Sequence, residues 1–110
     1  MIYSTTDSIP GKEIGEIVGV VTGNVVQAKH VGRDLMAGLK SIVGGEIRGY
    51  TEMLTEARDT AVQRLVANAH AKGADAVVGI RFTTSSIMTG SSEIMVFGTA
   101  VKFKPTKDLQ

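Results

Sequence analysis

Between Gly44 and Phe82 the chain carries one uninterrupted pattern that leaves little choice of fold: a double glycine, a long segment of helical period, a further glycine, and a strand-like alternation. Tyr50, Met53, Leu54, Ala57, Ala61 and Leu65 recur at i, i+3, i+4 and i+7, while Glu52, Glu56, Asp59 and Gln63 fall on the other side. This spacing predicts a helix from Tyr50 to Lys72 with one buried face and one wet face. Val62, Val66 and Ala69 widen the apolar set, and Lys72-Gly73 supply a basic last turn followed by a glycine stop. Ala76, Val78, Ile80 and Phe82 then alternate with Val77, Gly79 and Arg81, which predicts a strand whose first set faces the core.

The remaining segments supply more strands and a second helix. Lys12 to Ala28 is rich in isoleucine and valine but broken by Gly15, Gly19 and Gly23, the pattern of a long irregular strand or a hairpin. From Gly32, the residues Leu35, Met36, Leu39, Ile42 and Val43 recur at helical spacing, and Gly44-Gly45 reads as the stop of a short helix. Glu46 to Gly49 then forms a tight helix-to-helix connection. Ser91 to Lys104 predicts a last strand, with Ile94, Val96, Gly98 and Ala100 on one side and Met95, Phe97, Thr99, Val101 and Phe103 on the other. The polar stretch Thr83 to Ser92, containing Gly90, reads as the hairpin connection before it. The class is α+β, in a single domain spanning residues 1–110.

Composition narrows the partners. Zero cysteine excludes disulfides, thiolate metal centres and cysteine nucleophiles. Twelve basic against eleven acidic side chains give a formal charge of +1, too small a field to steer a polyanion, and without tryptophan the chain is poor in stacking platforms. Nucleic acid is therefore not an expected partner. Met1 to Pro10 lacks a basic stretch followed by an apolar run, and nowhere is there the apolar span of about 20 residues that a membrane helix needs. A cytoplasmic, untargeted protein without a membrane partner is expected. One helical layer covers only one face of a sheet, yet Val77, Met95, Phe97, Val101 and Phe103 fall mostly on faces opposite the best core sets. That surplus of apolar area predicts a homo-oligomer.

Four blocks also carry a family resemblance: Gly44-Gly45-Glu46-Ile47-Arg48-Gly49-Tyr50-Thr51-Glu52-Met53-Leu54, then Ala57-Arg58, then Gly73 through Phe82, and finally Gly98-Thr99-Ala100-Val101. In this order and spacing they resemble the YbjQ-like family of small bacterial and archaeal proteins, from about Ser4 to Phe103. The resemblance implies a dodecin-like β-α-β-β subunit, an antiparallel sheet wrapped around a long helix, that forms rings, with five subunits favoured. It also implies heavy-metal binding, in a family whose function is unestablished.

Three constellations are candidate sites. Glu52, Glu56, Asp59 and His70 share the wet side of the long helix, where carboxylates at i and i+4 offer oxygens to a hard divalent cation; the plain alternative is a solvated face. His30 and His70 are far apart, with no histidine pair at ligand spacing, so a copper or zinc site within one subunit is not expected. Gly44, Gly45, Glu46, Arg48 and Tyr50 form a glycine-rich connection whose amides and guanidinium suit an anion, with helix capping as the alternative. His30, Arg33 and Asp34 place an imidazole, a guanidinium and a carboxylate within a few residues, suited to acid-base work if they converge and to ordinary ion pairing if they do not. No serine stands in a nucleophile elbow. The expected function is a non-enzymatic, homo-oligomeric binder of a small ligand or metal ion. Alternatives are an enzyme with an inter-subunit site drawing on His30, Arg33, Asp34 and Glu46, and a purely structural assembly protein.

Overall fold

A computed structural model describes residues 1–27, 42–43 and 46–105, with the side chains of 42–43 and 46–50 outside the description. In chain order the elements are β1 (Ile2–Tyr3), β2 (Ile14–Gln27), β3 (Ile42–Val43), β4 (Glu46–Ile47), α1 (Arg48–Ala71), β5 (Ala76–Met88) and β6 (Ser91–Phe103). The main sheet has the order β1-β5-β6-β2, with β5-β6 and β6-β2 antiparallel and β1 added parallel to the start of β5. The result is an α+β fold with a four-stranded mixed sheet, and α1 packs on one of its faces.

The predicted helix stripe is the one that packs. Ala57, Ala61, Leu65 and Ala69 are all buried, four residues apart, and Met53 and Leu54 are half-buried at the start of the stripe. Three alanines keep this face flat, so the helix backbone approaches the sheet closely. Gly23 of β2 completes the contact, because a Cβ there would run into the Ala61 carbonyl oxygen and the Leu65 amide nitrogen. Val21, Val77, Ile80, Val96 and Ala100 fill the rest of this core. The helix ends as its sequence predicts: Gly73 takes φ +77° and donates its N–H to His70 O (2.9 Å), while Ala74 N–H reaches Ala69 O (3.1 Å).

On β5 the alternation differs from the expectation. Val77, not Val78, faces the helix together with Ile80, whereas Ala76, Val78 and Val101 form a second cluster on the opposite sheet face. The cause is a bulge: Val78 pairs with Thr99 but Arg81 pairs with Phe97, and Gly79 takes φ +62° between them. One extra residue reverses the sides of everything that follows. The second cluster is covered from within the chain, by Ile9, Ile14 and Phe103. The segment that brings Ile9 there is fastened to β5 by Gly79 N–H to Thr6 O (2.9 Å), Ile80 N–H to Ser4 O (3.0 Å) and Arg81 Nη1 to Thr5 O (3.0 Å). Val77 and Val101 therefore need no second subunit, contrary to the sequence-based argument. Met95 and Phe97 remain half-buried, with Val20 opposite Thr99 and Val26 opposite Glu93 largely exposed.

Two further expectations are corrected. Ile42 and Val43 are not the last turn of a helix: they pair antiparallel with Ile47 and Glu46, so Glu46-Ile47 is a strand, and α1 begins at Arg48. Isoleucine and valine suit a pleated ladder as well as a helix face, which makes this short run ambiguous from period alone. The rest of the predicted first helix lies outside the described residues. Nor is Thr83 to Ser92 a loop, since β5 extends to Met88 and β6 starts at Ser91, leaving a two-residue turn at Thr89-Gly90 with Gly90 at φ +79°. Thr83, Thr84, Ser85 and Ser86 are strand residues with no packed face, and residues 81–90 are exposed throughout.

Candidate functional site

The wet face of α1 holds the acidic candidates together. Glu52, Glu56 and Asp59 line a shallow open depression of about 550 Å³ with Thr51, Thr55, Thr60 and Gln63. All three carboxylates are exposed on the helix that presents them. His70 does not join them: it is eleven residues beyond Asp59 on α1, roughly 16 Å along the axis at about 1.5 Å per residue. Among the described residues no group of three or more histidine, aspartate or glutamate side chains is placed to hold a metal ion. A heavy-metal centre built from one subunit's described residues does not fit this donor set, which lacks sulfur and places its imidazole far from its oxygens.

The other candidates are only partly placed. His30, Arg33, Asp34, Gly44 and Gly45 lie outside the described residues. The backbone of Glu46 is in β4, and Arg48 and Tyr50 open α1. The anion-cradle idea supposed a connection between two helices; here the double glycine is instead flanked by the paired strands β3 and β4. Arg58 reaches back one turn toward Thr55 Oγ1 (3.4 Å).

A second depression, of about 540 Å³, was not foreseen from the sequence. It lies between the Pro10-Gly11 turn and the end of β6, lined by Gly11, Lys12, Glu13, Asp75, Phe103, Lys104 and Pro105. Its polar groups are already engaged. Asp75 Oδ2 accepts the Phe103 N–H (2.8 Å), Lys104 Nζ lies 2.6 Å from Glu13 Oε2, and Lys12 Nζ sits 5.7 Å from the centre of the Phe103 ring. Two cations and two carboxylates leave the lining without net charge, and the pairs fasten the chain before β2 to the chain after β6. The signals for it in the sequence, a Pro-Gly turn and a lysine next to a proline, are commonplace and lie near opposite ends of the chain.

Among solved structures, the crystal structure of a protein of unknown function from the DUF74 family of Pediococcus pentosaceus matches 94% of this chain and 98% of its own, with TM-score 0.58 at 18% identity, a likeness of fold. Proteins named UPF0145 are far more similar in sequence. One from Colwellia psychrerythraea is 88% identical over 94% of this chain and 99% of its own length. One from Shewanella frigidimarina is 77% identical over 97% and 100%, and one from Thermotoga maritima 55% identical over 94% and 98%. A family model described as "Putative heavy-metal-binding" matches residues 1–104, and the chain belongs to that YbjQ family.

Proposed function

We propose that the protein works as a homo-oligomer, a closed ring with five subunits favoured, and binds a small ligand or ion in sites completed between subunits without catalysing a reaction. The observation that carries this reading is the mismatch between the two sides of the sheet. α1 covers one face, while on the other Ile17 (71% exposed), Val20 (69%) and Val26 (57%) of β2 leave large apolar side chains in water, and Phe82, which pairs with Val96 on the helix side, is exposed along β5 together with Ile87 and Met88. A single exposed valine needs no explanation, but six such residues on the two strands that flank β6 mark an interaction surface. The carboxylates of Glu52, Glu56 and Asp59 support the ion-binding part, since each subunit offers oxygens in an open depression but no complete coordination sphere. A neighbouring copy would multiply them by symmetry.

Elemental analysis tests the ion. Protein purified without a histidine tag and mildly dialysed should retain divalent metal in fixed ratio to the assembly; metal far below that ratio removes the ion and leaves only a small organic ligand. Ligand binding to the native assembly would appear as a rise in Tm with ligand concentration. Steady turnover of a substrate would favour the enzyme reading instead.

A further inference from the structure

The first residues of the chain are docked on the subunit at one place and turn back into it at another. β1 pairs with Ala76 and Val77, and the contact continues over the bulge of β5: Ser4 N–H donates to Val77 O (3.0 Å), Ile80 N–H to Ser4 O (3.0 Å) and Gly79 N–H to Thr6 O (2.9 Å). Arg81 Nη1 closes this dock by donating to Thr5 O (3.0 Å) and to Ile80 O (2.7 Å). The docked piece is braced within itself, since Ser4 Oγ lies 2.7 Å from Thr6 Oγ1, Thr6 N–H donates to Ser4 Oγ (3.1 Å) and Thr6 Oγ1 donates to Ser8 O (2.6 Å). Beyond Ile9 the chain turns at Pro10-Gly11, with Lys12 N–H on Ile9 O (3.1 Å), and it is fixed again at Glu13, whose carbonyl accepts Lys104 N–H (2.7 Å). Gly11 has φ +81° and open space around it, so the pivot between the two anchors is free to turn.

Little apolar burial holds this piece down. Of residues 1–12 only Ser4 and Ile9 are half-buried, and the rest are exposed. Ile9 is its one contribution to the apolar clusters, packed on Ala76, Val78 and Val101, whereas Ile14 and Phe103 cover the same cluster from the body of the subunit. Toward α1 the fit is loose, because Tyr3 is 48% exposed and borders a depression of about 200 Å³ with Asp59, Val62 and Gln63. The core beneath α1, with Val21, Leu65, Val96 and Ala100, takes no residue from it. We infer that residues 1–10 are a strap, latched by Arg81, that opens as one unit about Gly11 while α1 and the three antiparallel strands stay folded. Opening changes the outer face of the sheet. Val20 lies opposite Thr99, Thr99 opposite Val78, and Ile17 opposite Val101. With the strap closed the exposed apolar run stops at Ile17 and Val20; with Ile9 lifted it extends toward Val78. The strap is therefore a lid that sets how much apolar surface this face presents, and Arg81 is its positioning residue.

The strap does not depend on the oligomer proposed above, and hydrogen exchange on the full chain tests it. Ser4, Gly79 and Ile80 carry the three backbone amides that donate across the dock. In the wild-type protein these should share one protection factor, about tenfold or more below that of Leu65 in the middle of α1. Arg81→Ala should speed all three together by about three- to tenfold, the effect of one lost hydrogen bond, and leave Leu65, Asp75 and Lys104 unchanged. Ile9→Ser, which removes the apolar contact without touching the dock, should speed the same three amides and again spare Leu65. Strap amides as protected as Leu65 and unmoved by either variant would make residues 1–10 part of the main cooperative unit. Three amides that respond separately would show fraying from the chain end, and an Arg81→Ala effect that reaches Leu65 would show loss of the whole fold. Each of these results overturns the strap.

Discussion

Gly23 lies directly beneath Ala61, so close that a Cβ on the glycine would collide with the alanine's carbonyl oxygen. The colliding atoms belong to the helix backbone and cannot be moved aside by a rotamer change. Gly23→Ala should therefore force α1 off β2 and destabilise the fold by about 3 kcal/mol, the upper end for overpacking. Urea denaturation checks this, and an unchanged midpoint would mean that the helix does not approach the strand as described.

Leu65 and Val20 should behave oppositely. Leu65 is fully buried in the main core, so Leu65→Ala should cost about 2–5 kcal/mol at every protein concentration. Val20 is 69% exposed in the subunit, and Val20→Ser should change subunit stability by less than about 0.5 kcal/mol. If assembly covers Val20, however, its substitution should lower Tm by an amount that grows with protein concentration. A concentration-independent effect for both variants would argue against a covered outer face.

How much of this was readable in advance follows from the physics of each segment. The long helix was legible because its apolar stripe runs through Ala57, Ala61, Leu65 and Ala69 and its stop is written as Lys72-Gly73. The sides of β5 were not, because strand alternation assumes no bulge, and Gly79 is a glycine whether it bulges or merely leaves room. The hairpin arm looks like a loop in sequence because Thr83 to Ser86 are polar, although exposure on both faces is what permits polar residues there. Of the candidate site, the Glu52, Glu56 and Asp59 grouping followed from helical spacing, and the same spacing shows His70 to be too distant. The hydrogen bonds that Arg64 donates to Asn24 O and Asn68 to Thr22 O were invisible, since they require knowing which strand runs beneath the helix.

The bulge makes its own prediction. A Cβ on Gly79 meets nothing closer than Asp7 Oδ1 at 3.5 Å, so space is not the obstacle, whereas φ +62° is. Gly79→Ala should cost about 1–2 kcal/mol from the left-handed conformation alone, and Gly79→Asn distinctly less. Equal losses for the two variants, measured by thermal unfolding, would place the constraint in packing instead of backbone conformation.

The Glu13–Lys104 ion pair is short but exposed on both sides, Glu13 at 69% and Lys104 at 55%. Lys104→Met should therefore change stability by no more than about 1 kcal/mol, and less in high salt. Denaturation at low and high ionic strength measures this directly, and a larger salt-independent loss would show that the depression around Phe103 is held by more than charge.

Metal retention should follow the carboxylates and not the histidine. Glu52→Gln/Glu56→Gln should lower the zinc or manganese retained by the assembly at least tenfold, while His70→Ala leaves it unchanged, because roughly 16 Å of helix separates that imidazole from Asp59. Loss of metal in the histidine variant alone would place the site elsewhere.

The central claim is that the subunit is built to be completed by copies of itself, and native mass spectrometry of gently purified, untagged protein tests it most directly because it reports stoichiometry and retained mass together. The account predicts a closed oligomer of uniform size, five subunits favoured, carrying a metal ion or small molecule in fixed ratio. A monomer that persists from the micromolar range upward would contradict it.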